Sequence, residues 1–124
     1  MKHKILHRDI KPVNILIDKH GYMKLTGFSN ACFNTGVVRE KVGDIMFMSP
    51  EMAQGQCYSY EVDMWSVGVV LYWLVEKLFP FGMFNKGMDE DKYLEDMFKK
   101  IVWKIIKFVK LYRLNLEKTE KKMD

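Results

Sequence analysis

No apolar run in this sequence of 124 residues reaches the roughly 18 residues that a membrane span requires. Cysteine is scarce. Cys32 and Cys57 belong to no motif, which excludes a disulfide scaffold and fits reduced thiols, with a cytoplasmic location expected. No Cys or His pair has the spacing of metal ligands, so no metal centre of that kind is expected. Arginine is rare too, with only Arg8, Arg39 and Arg113 among 20 basic residues. No internal repeat or low-complexity block is visible, and no nucleic-acid partner is expected. No charged-then-apolar leader is expected either, because His7-Arg8-Asp9 sits where its apolar centre would be.

What is there suits a globular chain with one modest core: 48% hydrophobic and 29% charged residues. The net charge of +4 is uneven. Residues 1–91 carry 10 basic and 11 acidic side chains, whereas residues 92–124 carry 10 basic and 5 acidic. The surplus therefore belongs to the C-terminal stretch, as a solvated face or a surface with its own partner.

The densest chemistry lies in His7-Arg8-Asp9-Ile10-Lys11-Pro12-Val13-Asn14, with an acid, a base, an amide and a proline-stiffened turn in eight residues. Ile15-Leu16-Ile17 follows and reads as a buried strand. Asp18-Lys19-His20-Gly21 reads as a turn and Tyr22 to Leu25 as a second strand, which makes residues 15–25 a small hairpin. A rigid polar loop feeding a strand is a good mount for a catalytic group. Taken alone, the octet is also readable as a plain polar turn between a helix and a strand, with residues 1–6 as the end of that helix.

HRDIKPVN resembles the catalytic loop of eukaryotic protein kinases of the serine/threonine type. The resemblance implies that Asp9 accepts the substrate hydroxyl proton, Lys11 steadies the transferring phosphate and Asn14 holds magnesium beside ATP. It makes His7 a packing residue and Arg8 the anchor for an activation-loop phosphate. Two further motifs follow in order. Residues 43–51, GDIMFMSPE, resemble the family's G-T-x-x-Y-M-[AS]-P-E, and Asp63-Met64-Trp65-Ser66-Val67-Gly68 resembles D-x-W-S-x-G. The implied fold is mainly α, a partial kinase C-lobe with one small β-hairpin. The phrase Gly21 to Thr26 and the short activation segment look most like the cyclic-nucleotide-dependent branch.

Three departures weigh against activity. Where the family writes D-F-G, 18 residues after Asp9, this chain has Gly27-Phe28-Ser29. The magnesium-binding Asp is thus replaced by Gly27, while Phe28 can still pack on His7. Metal stabilisation of phosphoryl transfer is worth several kcal/mol, and ~1.4 kcal/mol is a factor of ten in rate. The bridging Thr is Asp44, whose carboxylate is expected to repel Asp9 and compete for Lys11. The Tyr is Phe47. Glu51 lacks an evident Arg partner, so it is expected to be partly solvated. Thr35 is the only threonine of the loop over residues 30–48 and its one candidate phosphorylation site.

Tyr60 to Val75 predicts a helix apolar nearly all round, hence buried on every side, and the resemblance makes Asp63 the tie to the catalytic-loop backbone. Asp89 onward predicts another helix, with Leu94, Met97, Phe98, Ile101, Ile105 and Phe108 near one face and Lys99, Lys100, Lys104 and Lys107 on the rest. The resemblance runs to about residue 102. Residues 103–118 read as a basic amphipathic extension, and residues 119–124 as a charged, disordered tail. The expected function is a kinase-like module, impaired in catalysis, whose remaining use is binding a protein partner. The alternatives are an active Ser/Thr kinase once an N-lobe completes it, and a calmodulin- or membrane-binding helix anchored by Phe98, Trp103 and Phe108. ATP and magnesium are implied by the family and expected to bind weakly or not at all.

Overall fold

A computed structural model describes the backbone of residues 4–123 and, beyond Trp103, the side chains of Lys104, Lys107, Lys110, Lys118 and Lys122. The chain divides into two compact units, Met1–Phe84 and Asn85–Asp124.

The first unit holds two small antiparallel sheets and two helices. Strands β2 (Ile15–Ile17) and β3 (Met23–Leu25) form the expected hairpin, with Ile15 opposite Leu25 and Ile17 opposite Met23. Its turn is set by Asp18, whose Oδ1 accepts from the backbone N–H of His20 (2.8 Å) and Tyr22 (3.0 Å). A second sheet was not legible. Strand β1 (Ile5–Leu6) pairs with β4 (Cys32–Phe33), Leu6 opposite Cys32. Residues 4–6 are thus extended and not the end of a helix. A two-residue strand carries no periodicity, so only the tertiary pairing reveals it.

Helix α1 (Pro50–Ala53) is one turn, begun by Pro50 and capped by Ser49, whose Oγ accepts from Met52 N–H at 3.4 Å. Helix α2 (Glu61–Glu76) is the long element of this unit. It ends on Lys77 in the left-handed conformation (φ 58°), whose N–H donates to the Trp73 carbonyl. The core gathers Ile10, Phe47, Val69 and Val70, with Ile15, Met46, Trp65, Val67 and Phe79 packed on it. Phe47 meets Phe79 edge-on at 5.6 Å between ring centres.

Two burial expectations fail. Helix α2 is not buried on every side: Val62, Ser66, Val69 and Val70 face inward, whereas Met64, Leu71, Leu74 and Val75 are exposed. Strand β2 is not a buried strand either, since Leu16 and Ile17 are exposed, as are Tyr22, Met23 and Leu25 across the hairpin. An all-apolar pattern records that a surface is built to be covered. It does not say that the cover lies within these residues.

The second unit is helix α3 (Glu90–Met123), whose first turn is capped by Asp89, its Oδ1 accepting from Lys92 N–H at 3.0 Å. A Glu95–Lys99 pair at 2.7 Å lies one turn in. The helix is continuous past residue 102, the end of the resemblance, and through residues 119–123 of the stretch 119–124 that the sequence reads as a disordered tail. Glu and Lys are good helix formers, and extending a helix needs no new nucleus.

Candidate functional site

The octet His7–Asn14 is fastened from several directions. Asp63, in the first turn of α2, accepts the backbone N–H of His7 on Oδ2 (2.8 Å) and that of Arg8 on Oδ1 (2.9 Å). Both residues are buried, so these charge-assisted bonds satisfy donors that water does not reach. They also hold Arg8 at φ 65°, a costly conformation for a branched-free but long L side chain.

His7 is held on both ring nitrogens. Nε2 lies 2.7 Å from the Thr26 carbonyl, and Nδ1 lies 3.2 Å from Asp9 N–H. A carbonyl only accepts and an N–H only donates, so the ring donates from Nε2 and accepts on Nδ1. Its face meets Phe28 edge-on at 4.7 Å. The imidazole therefore fixes the backbone of Asp9 and binds the octet to Thr26, the residue that follows β3.

A short 3-10 turn over Pro12–Asn14 brings Asn14 back onto Asp9. Asn14 Nδ2 donates to the Asp9 carbonyl (2.8 Å) and to Asp9 Oδ2 (3.2 Å). The other carboxylate oxygen, Asp9 Oδ1, is buried and takes no hydrogen bond from the described residues; Lys11 Nζ is 3.3 Å away. Lys11 is shared, with Asp44 Oδ2 at 3.6 Å on its other side. The expected competition of Asp44 for Lys11 thus has its geometry. Asp44 is steadied by Met46 N–H on Oδ1 (3.0 Å).

Gly27 sits against this cluster at φ 74°. A Cβ there would fall 2.5 Å from Asn14 Cγ and 2.6 Å from Nδ2, inside any permitted contact. The Asn14 amide occupies the space that a side chain at position 27 would need. Gly43 (φ 90°) plays a similar part, since a Cβ on it would run into the Arg8 carbonyl. The loop passes Arg8 so closely that only glycine fits.

Glu51 is half-buried, and its carboxylate has no ion-pair partner among the described residues. The side chain of Arg113 lies outside them. Sequence reasoning missed three residues. Ser66 donates to the Phe47 carbonyl at 2.8 Å and so ties α2 to the loop before α1. Glu40 and Tyr58 close on Arg8. Arg8 was expected to await a phosphate, and nothing in the spacing signals that a carboxylate is already there. Thr35 is exposed and makes none of the Arg8 contacts. Of the three anchors named for a binding helix, Phe98 is half-buried and Trp103 exposed, with Lys107 Nζ 5.0 Å above its ring; the side chain of Phe108 lies outside the described residues.

Compared with known proteins, residues 1–122 match the family model described as the protein kinase domain, a match that runs well past the last motif, which ends at Gly68. Among curated proteins, the chain is 34% identical over 103 residues to a SNF1-like protein kinase of Schizosaccharomyces pombe, covering 81% of this chain and 16% of that protein. It is 35% identical over 103 residues to the carbon catabolite-derepressing protein kinase of Saccharomyces cerevisiae, covering 81% and 15%. It is 45% identical over 82 residues to serine/threonine-protein kinase 36 of Mus musculus, covering 64% and 6%. The chain thus spans less than a fifth of the length of these relatives.

Proposed function

The chain belongs to the protein kinase domain family, of the eukaryotic Ser/Thr type, and from that premise we propose that it is a C-lobe portion that keeps the proton acceptor of phosphoryl transfer and has lost the metal-binding half. The observation that carries this reading is the pairing of Gly27 with Asn14. The degenerate triplet Gly27-Phe28-Ser29 supplies no carboxylate, and Asn14 has settled into the space beside it.

Kinases of this family use ATP and magnesium and act on protein substrates. The residues beside Gly27 suit a hard divalent cation poorly. Asn14 offers one neutral oxygen, Asp9 is committed to Asn14 and Lys11, and Gly27 offers nothing. Among the described residues no group of three His, Cys, Asp or Glu side chains gathers to hold an ion. Lys11 is further diverted by Asp44. What remains, a rigid loop and a retained fold, suits a pseudokinase that binds a protein partner. Within the family the phrase Gly21–Thr26 favours the cyclic-nucleotide-dependent branch. The two free thiols, Cys57 exposed and Cys32 half-buried, favour the cytoplasm.

The test is phosphoryl transfer from γ-labelled ATP to a generic protein substrate, with magnesium, by the purified chain. The expected rate equals that of the Asp9→Asn variant. Transfer that vanishes in Asp9→Asn overturns the reading and restores the active-kinase alternative, for which a longer protein supplying an N-lobe is the assay of choice.

A second reading rests on α3. Trp103 and Val102 are exposed apolar groups beside Lys99 and Lys107, which suits an acidic, apolar groove such as calcium-loaded calmodulin. Titrating Trp103 fluorescence with calcium-calmodulin should give a saturable blue shift. A shift with anionic vesicles alone would assign the helix to a membrane surface instead.

A further inference from the structure

The Arg8 side chain is 6% exposed, so its charge has to meet partners within the protein. Its Nε donates to the Asn30 carbonyl at 2.6 Å. Its Nη1 donates to Glu40 Oε2 at 2.9 Å and to the Tyr58 hydroxyl at 3.1 Å. The Tyr58 hydroxyl in turn spends its single proton on the Glu40 carbonyl. Tyr58 N–H donates to the Val38 carbonyl at 3.0 Å, across an isolated antiparallel bridge between the two residues. Tyr58, itself only 3% exposed, therefore grips the loop at Val38 and at Glu40, and Arg8 grips the Glu40 side chain between them.

We propose that Arg8, held in place by the Tyr58 hydroxyl and the Asn30 carbonyl that accept from it, forms an oxyanion cradle that the chain closes with its own Glu40, pinning residues 38–44 without covalent modification. The cradle is the one that, on the kinase resemblance, would receive an added phosphate. Glu40 fills it from the loop itself, so the segment is held in its docked arrangement as soon as the chain folds. The carboxylate is 72% exposed at its outer edge, which leaves an entrance for a small anion once Glu40 is shortened. The same segment ends on Gly43 and Asp44, which lie against the Arg8 carbonyl and Lys11. The latch thus sets how Asp44 meets Lys11, whether or not the site turns over.

Backbone amide exchange reads this directly, at Tyr58 N–H and along residues 38–46, in the full chain. Glu40→Ala should speed exchange there by about three- to tenfold, the range for one charge-assisted bond with one exposed partner. Amides in the middle of α2 should stay unchanged and so report that the fold persists. Acetate or inorganic phosphate should then restore protection in Glu40→Ala with a saturable dependence and leave the native chain unaltered, because its cradle is filled. Glu40→Gln, which keeps an acceptor oxygen but no charge, should fall between. Exchange in Glu40→Ala within twofold of native overturns the latch. Loss of protection that neither anion repairs overturns the cradle.

Discussion

The octet His7–Asn14 and the hairpin Ile15–Leu25 are continuous in the chain, yet only the first is held. His7, Arg8 and Ile10 are buried, and the octet's polar groups meet Asp63, Thr26, Asn14 and Tyr58. Among the described residues the hairpin strands pair only with each other, and apart from Ile15 its apolar side chains face outward, Ile17 73% and Met23 76% exposed. Polar positioning needs a few partners at fixed geometry, and this chain contains them. Apolar burial needs area, and the described residues of the first unit do not supply the area that would cover the hairpin. A chain can therefore keep a polar loop in shape while the neighbouring apolar surface stays exposed.

The largest effect should come from cutting the octet loose. Asp63→Ala leaves two buried N–H groups, those of His7 and Arg8, without acceptors, at about 1–3 kcal/mol each. Urea denaturation should show a loss of about 2–5 kcal/mol, with Asp63→Asn intermediate because one oxygen survives. A loss under 0.5 kcal/mol would erase the contrast between held loop and unheld hairpin.

Next comes the seam between the two regions. Gly27→Asp should destabilise by roughly 1–3 kcal/mol, the usual scale for a forced side chain, and should not by itself create a metal site. Asp tolerates positive φ better than most residues, so the cost lies mainly in the collision with Asn14. Combining it with Asn14→Ala should recover part of that cost, a non-additivity that a double-mutant cycle measures. Simple additivity would place the strain in the backbone instead.

Much of this was legible in the sequence, and what was not divides along physical lines. The hairpin follows from local spacing, though not its register, and the tie from Asp63 to the octet follows from the kinase resemblance, because each motif packs its chemistry into a few residues. The competition of Asp44 for Lys11 was legible for the same reason. The pairing of Ile5–Leu6 with Cys32–Phe33 was not, since two residues have no period to read. Nor was Glu40: one acid in a loop with no pattern around it gives no sign that a buried arginine 32 positions earlier will meet it. The exposure of α2 failed differently. Its composition specified an apolar helix correctly, but composition cannot say which parts of its surface these residues cover.

A smaller effect concerns pH at the edge of the held region. Burial raises the Tyr58 phenol above its ordinary value of 10.0, against the opposing pull of the Arg8 hydrogen bond, and Glu40 raises Arg8 in turn despite the cost of burying it. With the folded value raised, the unfolded chain loses the phenolic proton first. This contribution is complete below pH 10 and is lost as pH rises through the folded value. Stability measured from pH 8 upward should therefore fall more steeply in the native chain than in Tyr58→Phe. Equal slopes would mean that the phenol is not sequestered with Arg8.

The smallest effect belongs to the hairpin, and its smallness is the point. Ile17→Thr keeps a β-branched residue in strand β2 and removes apolar area that water already reaches, so it should change stability by no more than about 0.5 kcal/mol. A fully buried isoleucine losing comparable apolar volume would cost about 1 kcal/mol or more. The same substitution made in a longer protein whose further residues cover the hairpin should move toward that larger figure. The difference between the two measurements is the burial that the rest of such a protein adds at this strand. If Ile17→Thr already costs more than 1.5 kcal/mol in this chain alone, the hairpin is covered here, and the division between a held loop and an open strand is wrong at its second term.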